Sequence, residues 1–183
     1  MGSEMCIRDR DNTLWGGIVG DDGADNIEIG QETSLAQTYS EFQEYIKLHK
    51  QLGILLTVNS KNDEANAVSG FERPDSVLKK DDFVVFKANW NPKSINITET
   101  AQELTLLPES FVFVDDNPAE RAIVEDQVPG VAVPVMDGVE HYIQILDKSG
   151  FFEVTALSQD DLKRNEMYQE NAKRSKLQSS FVN

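Results

Sequence analysis

Hydrophobic residues follow two different periods along this chain, and the two alternate from segment to segment. Between residues 33 and 52, large side chains recur every three or four positions, which is the spacing of one helix face. These residues are Leu35, Tyr39, Phe42, Ile46 and His49. Gly53 follows at the point where a glycine commonly ends a helix. The pattern predicts a helix of about five turns that ends near residue 52.

Short runs that are apolar at every position come between the helical segments. They cover residues 54–58, 83–86, 111–114 and 131–133, and such runs are typical of strands buried on both faces of a parallel sheet. Helices are predicted after Pro92-Lys93, from Pro118 with Asn117 as N-cap, and around Tyr142. Strands that alternate with helices predict an α/β domain with a mainly parallel sheet.

The composition is typical of a single folded domain and limits the classes of partner that we expect. It has 183 residues, with 17 Lys and Arg against 32 Asp and Glu, so its formal net charge is −15. That charge disfavours nucleic acids and anionic membranes as partners. One cysteine, Cys6, excludes an internal disulfide and a cysteine-based zinc site. No apolar run is long enough for a membrane span and no signal peptide is evident, so we expect a cytoplasmic protein.

Polar residues cluster where the predicted strands end, which is where open α/β sheets bind ligands. The clusters are residues 9–13, residues 59–62, residues 89–93, and Asp115-Asp116. Two groups of carboxylates at one sheet edge would repel each other unless a cation lay between them. Oxygen ligands without cysteine or clustered histidine favour Mg²⁺. Taken alone, Asp115-Asp116 would equally suit a helix N-terminus, and Ser60 a plain N-cap.

These residues resemble the four motifs of the haloacid-dehalogenase-like (HAD) phosphohydrolases. Asp9-x-Asp11-x-Thr13 is similar to the first motif, Ser60 to the second, Lys93 to the third, and Asp115-Asp116 to the fourth. Longer segments are similar to the FkbH-like branch, subfamily IIIC, namely residues 11–17, 60–63, 88–93, 111–121 and, in the tail, 157–164 with Tyr168. The resemblance implies a Rossmann-like, HAD-like three-layer sandwich with no large cap domain.

The resemblance also implies a role for each matching residue. Asp9 would be the nucleophile, Asp11 the general acid and base, and Ser60 and Lys93 the holders of the phosphoryl oxygens. The implied Mg²⁺ ligands are Asp9, Asp11 through its backbone carbonyl, Asp115 and, as second choice, Asp116. Residues expected to line the substrate are Thr13, Trp15, Asn59, Lys61, Asn62 and Trp90. Alternatively, Trp15 and Trp90 belong to the core, and His49 and His141 are expected to be packing or surface residues.

The resemblance to FkbH-like proteins implies an activity in secondary metabolite biosynthesis. They take a glyceryl unit from 1,3-bisphosphoglycerate, release phosphate, and load the unit on the phosphopantetheine arm of an acyl carrier protein. We therefore expect a phosphorylated small molecule and an acyl carrier protein as partners, the latter meeting a basic patch of Lys47, Lys50, Lys61, Lys79 and Lys80. A simple HAD phosphatase and a catalytically impaired carrier-protein-binding fragment are the alternatives.

Two departures from the family pattern bear on that activity. Asn59 stands where many members have a cysteine, which favours direct transfer, phosphatase action or a different acyl substrate over an acyl-enzyme. Before Asp9 the apolar run is only Met5-Cys6-Ile7, beside Arg8, and we expect residues 1–10 to be non-native. We expect a catalytic domain over residues 1–156 and a truncated helical extension over residues 157–183.

Overall fold

Four parallel strands form the sheet at the centre of the molecule. The computed structural model describes residues 4–8, 11–150 and 169–178. The strands are β1 (Glu4–Arg8), β2 (Leu55–Ser60), β3 (Val85–Ala88) and β4 (Phe111–Val114). The helices are α1 (Val19–Asp22), α2 (Ser34–Gln51), α3 (Glu64–Ser69), α4 (Lys93–Leu104), α5 (Pro118–Gln127) and α6 (Tyr142–Ser149), and residues 169–178 are also helical. Single 3₁₀ turns cover Gly70–Glu72, Lys80–Asp82, Pro108–Ser110 and Val139–His141.

The strand order is β3-β2-β1-β4, so that β1 lies between two parallel partners. Ile7 pairs with Val58 on one side and with Val114 on the other. Three apolar residues are enough for β1 because neighbouring strands satisfy its backbone on both sides. Even Glu4 is buried at the beginning of the strand.

Helices cover both faces of the sheet, because successive strand residues point to opposite sides. On one face, Ile7 and its strand neighbours pack with Phe42 of α2 and Leu146 of α6. On the other face, Phe113 packs with Ile97 of α4 and Val124 of α5. The predicted α/β class with a parallel sheet and three layers is confirmed.

Helix α2 follows the prediction closely at its ends but not along its whole buried face. The Thr33 hydroxyl accepts a hydrogen bond from the Ala36 backbone N–H at 3.0 Å, and Gly53 adopts a φ of 103° after the helix. Leu35 was expected on the buried face but is 47% exposed, because Ala36 takes the buried position in the first turn. Gln43 is buried instead, with its side-chain amide donating to the Leu14 carbonyl at 2.8 Å.

The predictions for three strands need correction. Strand β2, predicted over residues 54–58, covers Leu55–Ser60. Strand β3 begins at Val85 rather than at residue 83. The fourth predicted strand, residues 131–133, makes only an isolated bridge between Ala132 and Val112. Pro134 follows, and because proline has no backbone N–H, it cannot extend the pairing.

The C-terminal extension expected over residues 157–183 is described only for residues 169–178. Ala172 in that helix packs against the cluster on the α4 face. The tail motif of residues 157–164 and Tyr168 lies outside the described residues. None of the helices that the structure describes combines the length and the apolar character needed to cross a membrane.

Candidate active site

The carboxyl ends of the four strands meet at one edge of the sheet. Asn59 is paired with Arg8, and Ser60 with Ala88. Asp115 directly follows Val114, which pairs with Ile7. The sheet therefore brings the predicted second and fourth motifs to the place where the chain leaves β1. Asp9, the predicted nucleophile, lies outside the described residues.

Asp11 is held in place by two hydrogen bonds in the loop after β1. Its Oδ1 accepts from the indole N–H of Trp15 at 2.9 Å and from the backbone N–H of Val19 at 3.0 Å. The neighbouring Asn12 has a left-handed φ of 57°, and its side-chain oxygen accepts from the Gly17 backbone N–H at 3.0 Å. Asparagine tolerates this conformation better than most residues. The loop thus has a fixed shape that orients the Asp11 carboxylate.

The hydroxyl groups of two tyrosines also bind this loop. The hydroxyls of Tyr142 and Tyr39 donate to the Asn12 carbonyl at 3.0 and 3.4 Å. Burial, together with the negative charge of Asp116, raises the pKa of Tyr39 to about 12 and also raises the pKa of Tyr142. Both hydroxyls therefore keep their protons and remain donors at neutral pH.

Trp15 lies in the core rather than against a substrate. Its side chain is fully buried and packs edge-on against Phe71, with ring centroids 5.2 Å apart. The expectation that Trp15 lines the substrate is wrong, because its ring has no exposed face. The indole N–H instead orients Asp11, so Trp15 acts on the site through another residue.

The carboxylates after β4 face inward. Asp115 is fully buried, and its Oδ1 accepts from the Asn117 backbone N–H at 2.9 Å. Asp116 Oδ1 accepts from the Thr13 hydroxyl at 3.2 Å, which links the loop after β1 to the end of β4. Thr13 was expected to contact substrate, but its side chain is buried and its hydroxyl is bonded to Asp116. Its contact with substrate stays a prediction.

Arg121 was quoted only as part of the resemblance, yet the structure gives it a specific position. One guanidinium nitrogen, Nη1, donates to the backbone carbonyls of Asp115 at 3.0 Å, Asp116 at 3.1 Å and Met136 at 3.4 Å. Three carbonyls converge on a single cation directly behind the paired carboxylates. The sequence signal for this contact was an arginine in the first turns of the helix that follows Asp115-Asp116.

Lys93 is the most deeply buried charged group on the opposite side of the site. It is the first residue of α4, is only 1% exposed, and its Nζ donates to the Asn59 carbonyl at 3.1 Å. In return the Asn59 side-chain amide donates to the Lys93 carbonyl at 3.2 Å. Asn59 is 2% exposed and its side chain is hydrogen-bonded to Lys93 and Asn96, and its expected contact with substrate stays a prediction. Ser60, which follows it, is fully buried.

The remaining predicted substrate residues lie at the rim. Lys61 Nζ is 3.5 Å from Glu120 Oε1, and this ion pair joins the end of β2 to α5. Asn62 Oδ1 accepts from the Asp63 backbone N–H at 2.9 Å, next to the beginning of α3. Trp90 is 74% exposed in the loop before Lys93. Of these three side chains, Trp90 has the largest apolar surface available to a ligand.

Solved structures include one whose fold is similar to that of this chain. The chain is similar to the N-terminal part of the protein BF1531 from Bacteroides fragilis, which contains a phosphatase domain and was crystallised in complex with Mg. The two are 42% identical and superpose with a TM-score of 0.82. The match covers 85% of this chain and 42% of that one. No family model matches the chain, and no curated protein does. The chain has a HAD-like fold.

This edge of the sheet offers oxygen ligands for a metal. Asp11, Asp115 and Asp116 supply carboxylate and carbonyl oxygens, the donor class that Mg²⁺ prefers. Among residues 4–8, 11–150 and 169–178, no three His, Cys, Asp or Glu side chains are grouped closely enough to hold a metal. The fourth predicted ligand, Asp9, lies outside that part of the chain. The donor chemistry fits Mg²⁺, and Asp11, Asp115 and Asp116 would supply part of its coordination shell.

The fold changes the interpretation of Cys6 and of the predicted basic patch. Burial in the sheet raises the pKa of the Cys6 thiol to about 11, so it stays protonated and inert. Among the lysines of the predicted patch, Lys50 lies 2.9 Å from Asp82, Lys47 lies 3.7 Å from the same carboxylate, and Lys80 lies 2.7 Å from Glu64. These carboxylates offset much of the positive charge expected there.

Proposed function

We propose that this chain is a Mg²⁺-dependent phosphohydrolase of the HAD type. The observation that carries the proposal is the burial of the Lys93 ammonium at the sheet edge that also holds the buried Asp115 carboxylate. Burying single charges is costly, so a protein keeps them where they have a task or a partner. The similarity to a phosphatase domain crystallised with Mg supports the same conclusion.

The proposed reaction proceeds in two steps on the side chains of this protein. In the first, a carboxylate oxygen of Asp9 attacks phosphorus, the bond to the leaving oxygen breaks, and Asp11 gives that oxygen a proton. In the second, Asp11 takes a proton from water, which attacks the aspartyl-phosphate and releases phosphate. Ser60 and Lys93 hold the phosphoryl oxygens while negative charge spreads over them.

The metal site would be made by residues from two strands. Asp9 and Asp115 would bind Mg²⁺ through their carboxylates, Asp11 would bind through its backbone carbonyl, and Asp116 would stand beside them. When bound, the ion neutralises charge on the phosphoryl group. Asp115 is already oriented by the Asn117 backbone N–H, and Asp116 by Thr13.

The finer proposal concerns the substrate and acceptor of the FkbH type. The substrate would be 1,3-bisphosphoglycerate, and the acceptor the phosphopantetheine thiol of an acyl carrier protein. With Cys6 buried and Asn59 hydrogen-bonded in the interior, this chain offers no thiol for an acyl-enzyme. The carrier's thiol would therefore attack the acyl carbon directly and displace the 1-phosphate, and hydrolysis at the 3-position would leave a glyceryl thioester.

The open sheet edge is compatible with a substrate tethered to a large partner. Between Trp15 and Thr33, the chain forms only the four-residue helix α1 and a bridge between Gly16 and Glu28. Trp90 is exposed nearby in sequence to Lys93. A second domain that covers the site is absent among the described residues.

Hydrolysis of p-nitrophenyl phosphate tests the general proposal. Activity should require Mg²⁺ and disappear in Asp9→Asn, while Asp11→Asn should lower kcat by about 10² to 10⁴, the usual contribution of a general acid or base. Asp25→Asn is the matched control, because Asp25 is an exposed carboxylate outside the site. Wild-type activity in Asp9→Asn would contradict the proposal.

The intact mass of an acyl carrier protein tests the finer proposal. The carrier, bearing its phosphopantetheine arm, is incubated with this chain, Mg²⁺ and 1,3-bisphosphoglycerate. A glyceryl mass gain that is lost in Asp11→Asn would support transfer. Phosphate release without a mass gain would identify a simple phosphatase, and carrier binding without phosphate release would identify a binding fragment.

A further inference from the structure

A chain of buried side-chain amides lies behind Lys93 and Ser60. Asn96, fully buried in α4, donates through Nδ2 to Asn59 Oδ1 and to Asn89 Oδ1, each at 2.8 Å. Both protons of one amide nitrogen are thus used outside the helix. The network joins the end of β2, the loop after β3 and the first turns of α4.

The far ends of this network are the two residues proposed to hold the phosphoryl oxygens. Asn59 exchanges two hydrogen bonds with Lys93. The Asn59 side-chain amide donates to the Lys93 backbone carbonyl, and the Asn59 backbone carbonyl accepts from the Lys93 ammonium. The Asn89 backbone N–H donates to the Ser60 carbonyl at 3.0 Å. Asn96 is thus linked to both of these residues, through Asn59 to Lys93 and through Asn89 to Ser60.

Position 96 is a poor place for asparagine on local grounds. Asparagine is a weak helix former in a helix interior because its side chain competes for backbone hydrogen bonds. Here its side-chain amide bonds to residues of β2 and of the β3–α4 loop. The network consists of neutral amides, and it reaches Lys93 at its backbone carbonyl and, through the Asn59 backbone carbonyl, at its ammonium.

We propose that Asn96 is a positioning residue, which sets the Lys93 ammonium and Ser60 for a phosphoryl group through Asn59 and Asn89. The proposal rests on the phosphohydrolase function given above. It assigns Asn96 no contact with substrate. Its effect passes through Lys93, which makes it separable from a purely structural role.

A double-mutant cycle with orthovanadate, a mimic of the phosphoryl transition state, tests this dependence. In Asn96→Ala, vanadate affinity measured by calorimetry with Mg²⁺ should fall about tenfold, and kcat should fall more than KM changes. In a Lys93→Met background the same Asn96→Ala change should alter vanadate affinity less than twofold. Mg²⁺ affinity should stay within twofold throughout, since the proposed ligands lie on the other side of the site.

Ile97→Val is the matched control, because it also weakens the buried side of α4 but makes no polar contact. It should lower the melting temperature without changing vanadate affinity. An equal loss of vanadate affinity from Asn96→Ala with and without Lys93 would overturn the proposal. So would a parallel loss of Mg²⁺ and vanadate affinity. If Asn96→Ala does not fold, Asn89→Ala should show the same pattern with a smaller loss.

A readout independent of phosphatase activity separates this proposal from the function on which it rests. Lysine-selective ¹H–¹⁵N spectra should show a protected Lys93 ammonium signal, assigned by its loss in Lys93→Met. In Asn96→Ala that signal should broaden as the ammonium is released to solvent exchange. An unchanged signal would refute positioning by Asn96 even in an active enzyme. Absence of hydrolysis and vanadate binding in the wild type would instead refute the phosphohydrolase function.

Discussion

The two sides of the candidate site are held by opposite kinds of support. On the Lys93 side, the described hydrogen bonds are with neutral groups: the ammonium donates to the Asn59 backbone carbonyl, and side-chain amides bind the Lys93 carbonyl and one another. On the carboxylate side, the cation Arg121 donates to the backbone carbonyls of Asp115 and Asp116. Among the described residues, these supporting groups are therefore neutral on one side and cationic on the other.

The difference between the two sides follows from electrostatics. Neutral hydrogen bonds hold a charged group in place without cancelling its charge, whereas a paired carboxylate weakens the attraction of an ammonium for an anion. Clustered carboxylates repel each other, and a nearby guanidinium reduces that repulsion before any metal binds. The arrangement of the carboxylates should therefore depend on salt and metal concentration. The arrangement of the amide side should depend on hydrogen-bond geometry.

Gly70→Ala is expected to have the largest effect on activity, because it should displace Trp15, which orients Asp11 on the carboxylate side. A Cβ at Gly70 would overlap the indole ring of Trp15, and the backbone there is otherwise suited to alanine. Displacing the indole removes a hydrogen bond to Asp11, and kcat should fall about 10- to 100-fold because small misplacements of catalytic groups are costly. Steady-state kinetics of p-nitrophenyl phosphate hydrolysis measures the change.

Gly20→Ala is the matched control for that substitution. Its Cβ would meet nothing closer than Asn66 Nδ2, at 3.9 Å, so kcat should stay near the wild-type value. Trp15→Phe keeps the core filled but lacks the N–H donor, and should reproduce part of the loss. Full activity in Gly70→Ala would show that Trp15 does not orient Asp11.

Arg121→Gln sharpens the comparison by removing the cation from behind the carboxylates. Mg²⁺ affinity should fall about tenfold, in the range seen when groups that orient metal ligands are lost. Saturating Mg²⁺ should restore most of kcat, because Arg121 contacts backbone carbonyls rather than the reacting atoms. Titration of activity with Mg²⁺ gives both values. A loss of kcat that excess Mg²⁺ fails to restore would point to a direct catalytic role.

Asp82→Asn tests an ion pair outside both sides of the site and should have the smallest effect on activity. Burial alone would raise the pKa of Asp82, but hydrogen bonds from Lys50 and the Lys79 backbone N–H, with the charges of Lys50 and Lys47, hold that pKa below its usual value. The substitution should lower the free energy of unfolding by about 1 to 2 kcal/mol at pH 7. Urea denaturation measures it, with kcat unchanged.

The pH dependence of that stability has a definite sign. A carboxyl whose folded pKa is depressed stabilises the fold above its unfolded pKa of about 3.9 and loses that contribution as the pH falls through the folded pKa. The stability gap between wild type and Asp82→Asn should therefore be full at pH 6 and shrink below about pH 4. A gap that stays constant down to pH 2 would show that the ion pair contributes little.

Local patterns in the sequence were enough to predict the parts of the fold that depend on near neighbours. The ends of α2 at Thr33 and Gly53, and the beginning of α5 at Asn117, come from caps within a few residues. The placement of Lys93 and Asp115 at one edge follows from the general rule for parallel sheets. These features need no knowledge of which strands pair.

Contacts between distant segments were beyond the reach of the sequence. Asn59 and Asn96 are 37 residues apart, and their hydrogen bond depends on how α4 packs beside β2. Trp15 lies in a loop by its sequence position, and its burial depends on contacts with Phe71 and Gly70, which are distant in sequence. The contacts of Arg121 require the turn between β4 and α5 to be known. Polar residues in a local pattern do not reveal which of them will be enclosed.

The central place of β1 has a consequence for how the protein is made. Glu4 pairs with Leu55 and, on its other side, with Phe111, so its second neighbour is synthesised long after it. At about 5 to 20 residues per second, the strand waits roughly 5 to 20 s on the ribosome before that neighbour emerges. During this interval the apolar segment Met5-Cys6-Ile7 has at least one open flank, where a chaperone or a second nascent chain can compete with the native partner.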